Sequence, residues 1–239
     1  MIRAAPAARL IDAWDAGAGQ HAIDRALTLA GCYTDLDRHR LAGLSIGERD
    51  ALLLRIRRLV AGDHIGGVCA CEACGGQNEF DLDAAALPLP RPPPDGIVSV
   101  SLDGRIIRAR LPNSFDLAAV TDSADEEQAV RALLRRCLGA DPDLADVTLD
   151  DATMAALDSA MEAVEGTAAL DIAFTCSACG AVNRAPLDIA GLLWIELAER
   201  VQQLVADVEL LASHYGWSET DILAMTERRR SLYAERVRP

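Results

Sequence analysis

The feature that most constrains this chain is a motif that occurs twice, 105 residues apart. Cys71-Glu-Ala-Cys74-Gly75 is followed by Asn78, Leu82, Asp83, Ala85 and Leu87. Cys176-Ser-Ala-Cys179-Gly180 is followed by Asn183, Leu187, Asp188, Ala190 and Leu192. The match runs well past the cysteines, so each copy reads as half of one site. A Cys-x-x-Cys turn aims two thiolates at one point, and the glycine after it tolerates the left-handed backbone such a turn needs. Two turns supply four soft ligands, the tetrahedral set of closed structural zinc sites. The expected site is therefore Cys71, Cys74, Cys176 and Cys179 around one zinc, each pair flanked by short strands. Such a ribbon is split by a long insertion. Closing a loop of about a hundred residues costs several kcal/mol of chain entropy. Zinc on four thiolates contributes on the order of 10–16 kcal/mol, which exceeds that cost.

Other cysteine chemistry fits less well. A thioredoxin-like pair opens a helix, whereas these turns lead into extended segments. A disulfide framework needs an oxidising compartment, and the N-terminus has no apolar core of a secretory signal. A zinc deaminase needs a His-x-Glu partner that is missing here. Four protein thiolates leave no open position for a metal-bound water. Cys69 is able to replace Cys71 or to join an iron–sulfur set, but the position equivalent to it in the second copy is Phe174, which favours Cys71. Cys32 and Cys137 read as small buried hydrophobes. His64 is placed to approach the first knuckle as an outer donor, although an ordinary surface role is simpler.

Around the two knuckles the chain divides into segments. Residues 1–63 are a helical region, in which 20–30 is amphipathic and Ser45 with Glu48 forms a capping box. Residues 64–87 hold the first knuckle, and 88–96 a proline-rich linker that reads as a stiff polyproline spacer. Residues 97–166 carry a hairpin turning at Asp103-Gly104 and then a helical insertion. One insertion helix shows Val130, Leu133, Leu134 and Cys137 on a face; the next shows Met154, Leu157, Met161 and Val164 and is expected to be capped by Thr148. Residues 167–188 hold the second knuckle, entered by a strand with Leu170, Ile172 and Phe174. Residues 189–239 begin with about seven turns of amphipathic helix, ~39 Å long, that end at Gly216. Ser218 caps a further helix, and Arg228-Arg229-Arg230 leads a frayed tail. The fold class is α+β and predominantly helical, with a split four-cysteine zinc ribbon of short antiparallel strands, a helical insertion and a long C-terminal helix.

No catalytic constellation accompanies the knuckles. Gly43-Leu44-Ser45-Ile46-Gly47 matches a nucleophile elbow, but that motif needs a buried strand where Arg38, His39 and Arg40 stand. The four histidines share no pattern. No run of about twenty apolar residues is present, so no membrane span is expected. The net charge of −14 argues against a general nucleic-acid binder. All 23 basic residues are arginines, and the cluster at 228–230 with Trp217, Ile222, Leu223, Leu232 and Tyr233 reads either as a solvated helix end or as a partner-binding tail. Trp217, Arg228, Arg229, Arg230 and Tyr233 are the candidate contact residues of that tail.

The order of several short motifs carries a resemblance. A helical start has Leu-Ser-Ile-Gly-Glu-Arg-Asp-Ala-Leu-Leu-Leu at 44–54, followed by a Cys-x-x-Cys-Gly knuckle. A hairpin then ends in Arg110-Leu111-Pro112-Asn113-Ser114-Phe115-Asp116-Leu117. After the second knuckle come a long helix with Trp194 near its start, Tyr215-Gly216-Trp217-Ser218-Glu219, and Asp221-Ile222-Leu223 before the arginines. From about residue 20 to 237 this resembles the baseplate hub assembly chaperone family of T-even-type phages, in the zinc-knuckle form that accompanies phage-tail-like contractile injection systems. The resemblance implies a non-enzymatic protein of the bacterial cytoplasm, with baseplate, hub or spike proteins of a contractile tail as partners and incorporation into the particle as an option. The knuckle cysteines are the only site residues it carries over. The alternative is a zinc-ribbon regulator that binds nucleic acid or a protein through its basic C-terminal helix.

Overall fold

The computed structural model describes residues 1–102, 104–139, 147–166 and 171–238. Its helices are α1 (Ala7–Gly17), α2 (Ala22–Tyr33), α3 (Arg38–Gly43), α4 (Ile46–Ala61), α5 (Ser114–Val120), α6 (Glu126–Leu138), α7 (Asp151–Glu165), α8 (Ile189–Tyr215), α9 (Glu219–Leu223) and α10 (Glu227–Val237). Its strands form three separate antiparallel hairpins: β1 (His64–Ala70) with β2 (Gln77–Asp83), β3 (Ile97–Leu102) with β4 (Arg105–Arg110), and β5 (Asp171–Thr175) with β6 (Val182–Pro186). The helical α+β class expected from the sequence is the class observed. Two compact units result, Met1–Arg38 with Ile189–Pro239, and His39–Asp188. The N-terminal helical region is thus shared between them.

In the first unit, α1 and α2 pack on α8. The 27 residues of α8 bury Leu193, Leu197, Val201, Leu204 and Leu211 at helical spacing, as the sequence period requires. Trp194 lies against Gly17, where an added Cβ would come within 2.4 Å of the indole, and Arg25 sits over that ring. Gly216 closes α8 with a positive φ of 70° and a backbone bond from its N–H to the Ala212 carbonyl. Ser218 caps α9 as expected, its hydroxyl accepting from the Asp221 N–H.

The C-terminal segment departs from the sequence reading. It forms α10, which packs back on α8 with Arg230 only 3% exposed. Arg230 Nε lies 3.2 Å from Asp207 Oδ2, and Arg238 reaches the other oxygen of the same carboxylate. Ala234, one helical turn on, is buried beside Leu211 and Ile222. Arg230→Ala would strand most of the Asp207 charge, although Arg238 remains, so we expect a loss of about 2 kcal/mol in urea denaturation.

In the second unit α4 opens with the expected capping box, where Ser45 accepts from the Glu48 N–H and Glu48 accepts from the Ser45 N–H. The residues before Ser45 are helical, so no nucleophile elbow forms. The β3–β4 hairpin lies on α6 and α7, burying Val98, Ile107, Ala109 and Leu111 against Leu134, Leu138, Leu157 and Met161. Within the hairpin turn, Asp103 lies outside the described residues, as does Leu170 before β5. Val130 is exposed, since the buried face of α6 is centred one turn later on Leu134, Cys137 and Leu138. The cap of α7 is Asp150 rather than Thr148. Val147 and Leu149 are drawn into the core ahead of the helix, which moves its start two residues on. The proline-rich segment carries no helix or strand and is docked: the Arg91 N–H donates to the Val164 carbonyl at 2.7 Å. A Cβ on Gly166 would meet the Leu89 backbone at 2.7 Å. Across this unit the Glu165 carboxylate, at the end of α7, accepts from the Gly47 N–H at the start of α4.

Candidate metal centre

The two knuckle hairpins share one register. Cys69 pairs with Asn78 and Ala70 with Gln77 in the first; Phe174 pairs with Asn183 and Thr175 with Val182 in the second. Each turn closes the same way. The Cys71 N–H donates to Gly76 O at 2.9 Å and the Gly75 N–H to Cys71 O at 2.8 Å. The Cys176 N–H donates to Ala181 O at 2.8 Å and the Gly180 N–H to Cys176 O at 2.9 Å. Gly75 and Gly180 take φ of 70° and 75°, the left-handed values that the turn demands and that a side chain resists.

The four Sγ atoms of Cys71, Cys74, Cys176 and Cys179 lie within 4.8 Å of one another, a cluster able to hold a metal ion. Cys71 lies 3.7 Å from Cys179, and Cys74 3.7 Å from Cys176. In each knuckle the first cysteine is buried and the second exposed.

Two asparagines lock the halves together, and they do so reciprocally. Asn78 leaves β2 to accept from the Ser177 N–H of the other knuckle at 2.8 Å, while its amide donates to Gly76 O at 2.9 Å and faces Cys176 Sγ at 3.6 Å. Asn183 accepts from the Glu72 N–H at 3.0 Å and donates to Ala181 O at 2.8 Å. Both are buried, at 8% and 6% exposure, which a polar amide tolerates only with its bonds made. The repeat contained both residues, but their role rests on contacts about a hundred positions away, which no local pattern reveals.

The electrostatics suit a cation. Backbone N–H groups of Cys179 and Ala178, aimed at the Cys176 sulfur, pull that thiol down to about 6. Burial works against Cys71, but hydrogen bonds from the N–H groups of Cys74 and Ala73, together with Cys179 and Asn183, outweigh it and lower that thiol too. Cys179 goes the other way: the Ala181 N–H lowers it, but the sulfurs of Cys74, Cys176 and Cys71 outweigh that and push it up to about 12. Four adjacent sulfurs resist losing all their protons alone, and a central cation removes that resistance. Asn78→Ala and Asn183→Ala should each weaken metal retention by about tenfold or more, read by competition with a chromophoric chelator, because each removes an outer donor that orients a ligand.

The remaining candidates fall elsewhere. Cys69 is half-buried in β1 and is not part of the cluster. His64 sits at the far end of its hairpin, opposite Asp83, with Nδ1 3.0 Å from Asp81, so it is no outer donor to the knuckle. Cys32 and Cys137 are buried, and burial pushes both thiols up, Cys137 to about 12. Trp217 stacks on Tyr215 at 4.4 Å and meets Tyr233 edge-on at 4.9 Å. Arg228 and Arg229 are exposed, whereas Arg230 belongs to the buried pair with Asp207 and is withdrawn from any surface contact.

These features define a helical α+β protein with a split four-cysteine cluster able to hold a metal ion. No protein-family model, no curated protein and no solved structure matches the chain. Among the described residues, no helix is long and apolar enough to cross a membrane.

Proposed function

We propose that the chain is a non-enzymatic assembly factor, or a minor structural component, for the baseplate or hub of a phage tail or contractile injection system. The metal of its split ribbon is zinc in a structural role, held by Cys71, Cys74, Cys176 and Cys179. The observation that carries the reading is the duplicated half-site, whose four sulfurs converge from segments 102 positions apart. A tetrahedron of ~2.3 Å zinc–sulfur bonds has edges of about 3.8 Å. The cross-knuckle sulfur distances of 3.7 Å fit that figure. Such a set is complete without water, which suits a brace rather than a reaction centre. The order of motifs shared with the hub chaperones supports the choice of assembly, and the bacterial cytoplasm is the compartment in which such thiols stay reduced.

In this reading the metal fixes the knuckles, and the C-terminal helices hold a hub, baseplate or spike protein. Co-expression of the chain with the tail genes that neighbour it tests this. The expected result is co-purification of a baseplate, hub or spike component with the folded, metal-loaded chain. Recovery of the folded chain with no tail component would sink the proposal.

A further inference from the structure

The outer face of α10 is charged against its own helix. Thr226 is the N-cap, so Arg228 and Arg229 stand in the first turn, where the helix dipole disfavours cations. Glu227 pairs with Arg200 at 2.6 Å, and Asp207 is engaged by Arg230 and Arg238. Among the described residues no acidic group pairs with Arg228, Arg229 or Arg236. These three surround Leu232 at helical spacings of three and four, and Leu232 is 54% exposed. Beside it lies Tyr233, with the Arg229 guanidinium 5.8 Å over its ring and Trp217 packed on its edge. A rim of arginines without acidic partners, around an exposed leucine and beside half-buried aromatic rings, on a chain of net charge −14, is not accounted for by ion pairing within the chain.

We infer that this face docks an acidic segment of a protein partner, whose carboxylates meet Arg228, Arg229 and Arg236 and whose apolar side chain packs on Leu232 and Trp217. Charge complementarity selects the occupant. A phosphate backbone would bring dense negative charge toward an acidic chain that offers only three arginines and no lysine here, with Glu235 among them. An acidic peptide presents a few charges and an apolar anchor, which matches the composition of the face. The inference rests on reading the C-terminal helices as the partner-holding part.

The test is selection from a phage-displayed random peptide library on the full metal-loaded chain at near-physiological ionic strength. We expect enrichment of net-negative peptides that carry leucine or an aromatic residue. Their affinity should fall about tenfold or more for R228E/R229E and for L232S, and should weaken with salt. All three side chains changed are exposed, so the melting temperature should stay near that of the parent; R228Q/R229Q replaces the reversal if it unfolds. Absence of acidic enrichment, or equal binding to the variants, would overturn the inference. So would binding of a single-stranded oligonucleotide with the same arginine dependence, or a self-association that R228E/R229E abolishes. If a tail protein co-purifies but ignores these variants, only this face is misassigned. If the face selects acidic peptides but no tail protein is recovered, only the proposed function fails.

Discussion

Cys176→Ser is expected to release the metal and to destabilise the protein by about 5 kcal/mol or more, since a structural zinc on four thiolates contributes on the order of 10–16 kcal/mol to folding. That loss is comparable to the whole stability of a typical domain, about 5–15 kcal/mol. Thermal unfolding should therefore begin about 10–20 °C lower, at ~2–4 °C per kcal/mol for a chain of this size. The reason is local. Cys176 is the buried ligand of its knuckle, its sulfur receives two backbone N–H groups and the Asn78 amide, and a serine hydroxyl there does not form a thiolate. Without the metal, the knuckles themselves are held to each other by the reciprocal Asn78 and Asn183 contacts, against several kcal/mol of chain entropy. Cys69→Ser, two residues from Cys71 but outside the cluster, should keep the metal and most of the stability. Calorimetry with metal analysis on the two variants reads the contrast. Equal metal content in Cys176→Ser and the parent would refute the ligand assignment.

The second large effect is expected at Asp116, which is 1% exposed and ties three elements together. Its carboxylate takes both Nη atoms of Arg110 at 2.5 and 2.7 Å, Arg136 Nε at 2.9 Å, and the Asn113 N–H at 3.1 Å. Arg110 closes β4 and Arg136 lies on α6, so this one carboxylate clamps the hairpin to the insertion helix through the cap of α5. Removing one partner of a buried pair costs about 3–5 kcal/mol. The two arginines are partly exposed, at 39% and 44%, and solvent screens what they lose. We therefore expect about 2–3 kcal/mol for Asp116→Ala.

Acid should show the same contact. Burial raises the Asp116 carboxyl, but Arg110, the Asn113 N–H and Arg136 outweigh it and hold it below the usual carboxylate range. A lowered folded value means the stabilisation is full above the ordinary carboxylate pKa of about 4 and disappears as pH falls through the lowered one. Urea titrations of parent and Asp116→Ala should therefore differ near neutrality and converge in strong acid. A constant difference at every pH would contradict the clamp.

What the sequence made legible is what repeats or is local. The duplicated knuckle, the Ser45 capping box, the alternation of β3 and β4, and the apolar stripe of α8 all involve residues within a turn or a strand of one another. The misses are long-range. The third arginine of a run of three reads as solvated until Asp207, 23 residues earlier, is folded beside it. Asn78 and Asn183 stood in the repeat but showed nothing of the knuckle each one caps.

In the proposed reading one metal ion joins the two half-sites. The most direct measurement is elemental analysis with native mass spectrometry on the reduced, folded protein. One zinc per chain is expected, displaced in step with the appearance of free thiols at Cys71, Cys74, Cys176 and Cys179. A reduced chain that is folded, monomeric and free of metal would contradict it.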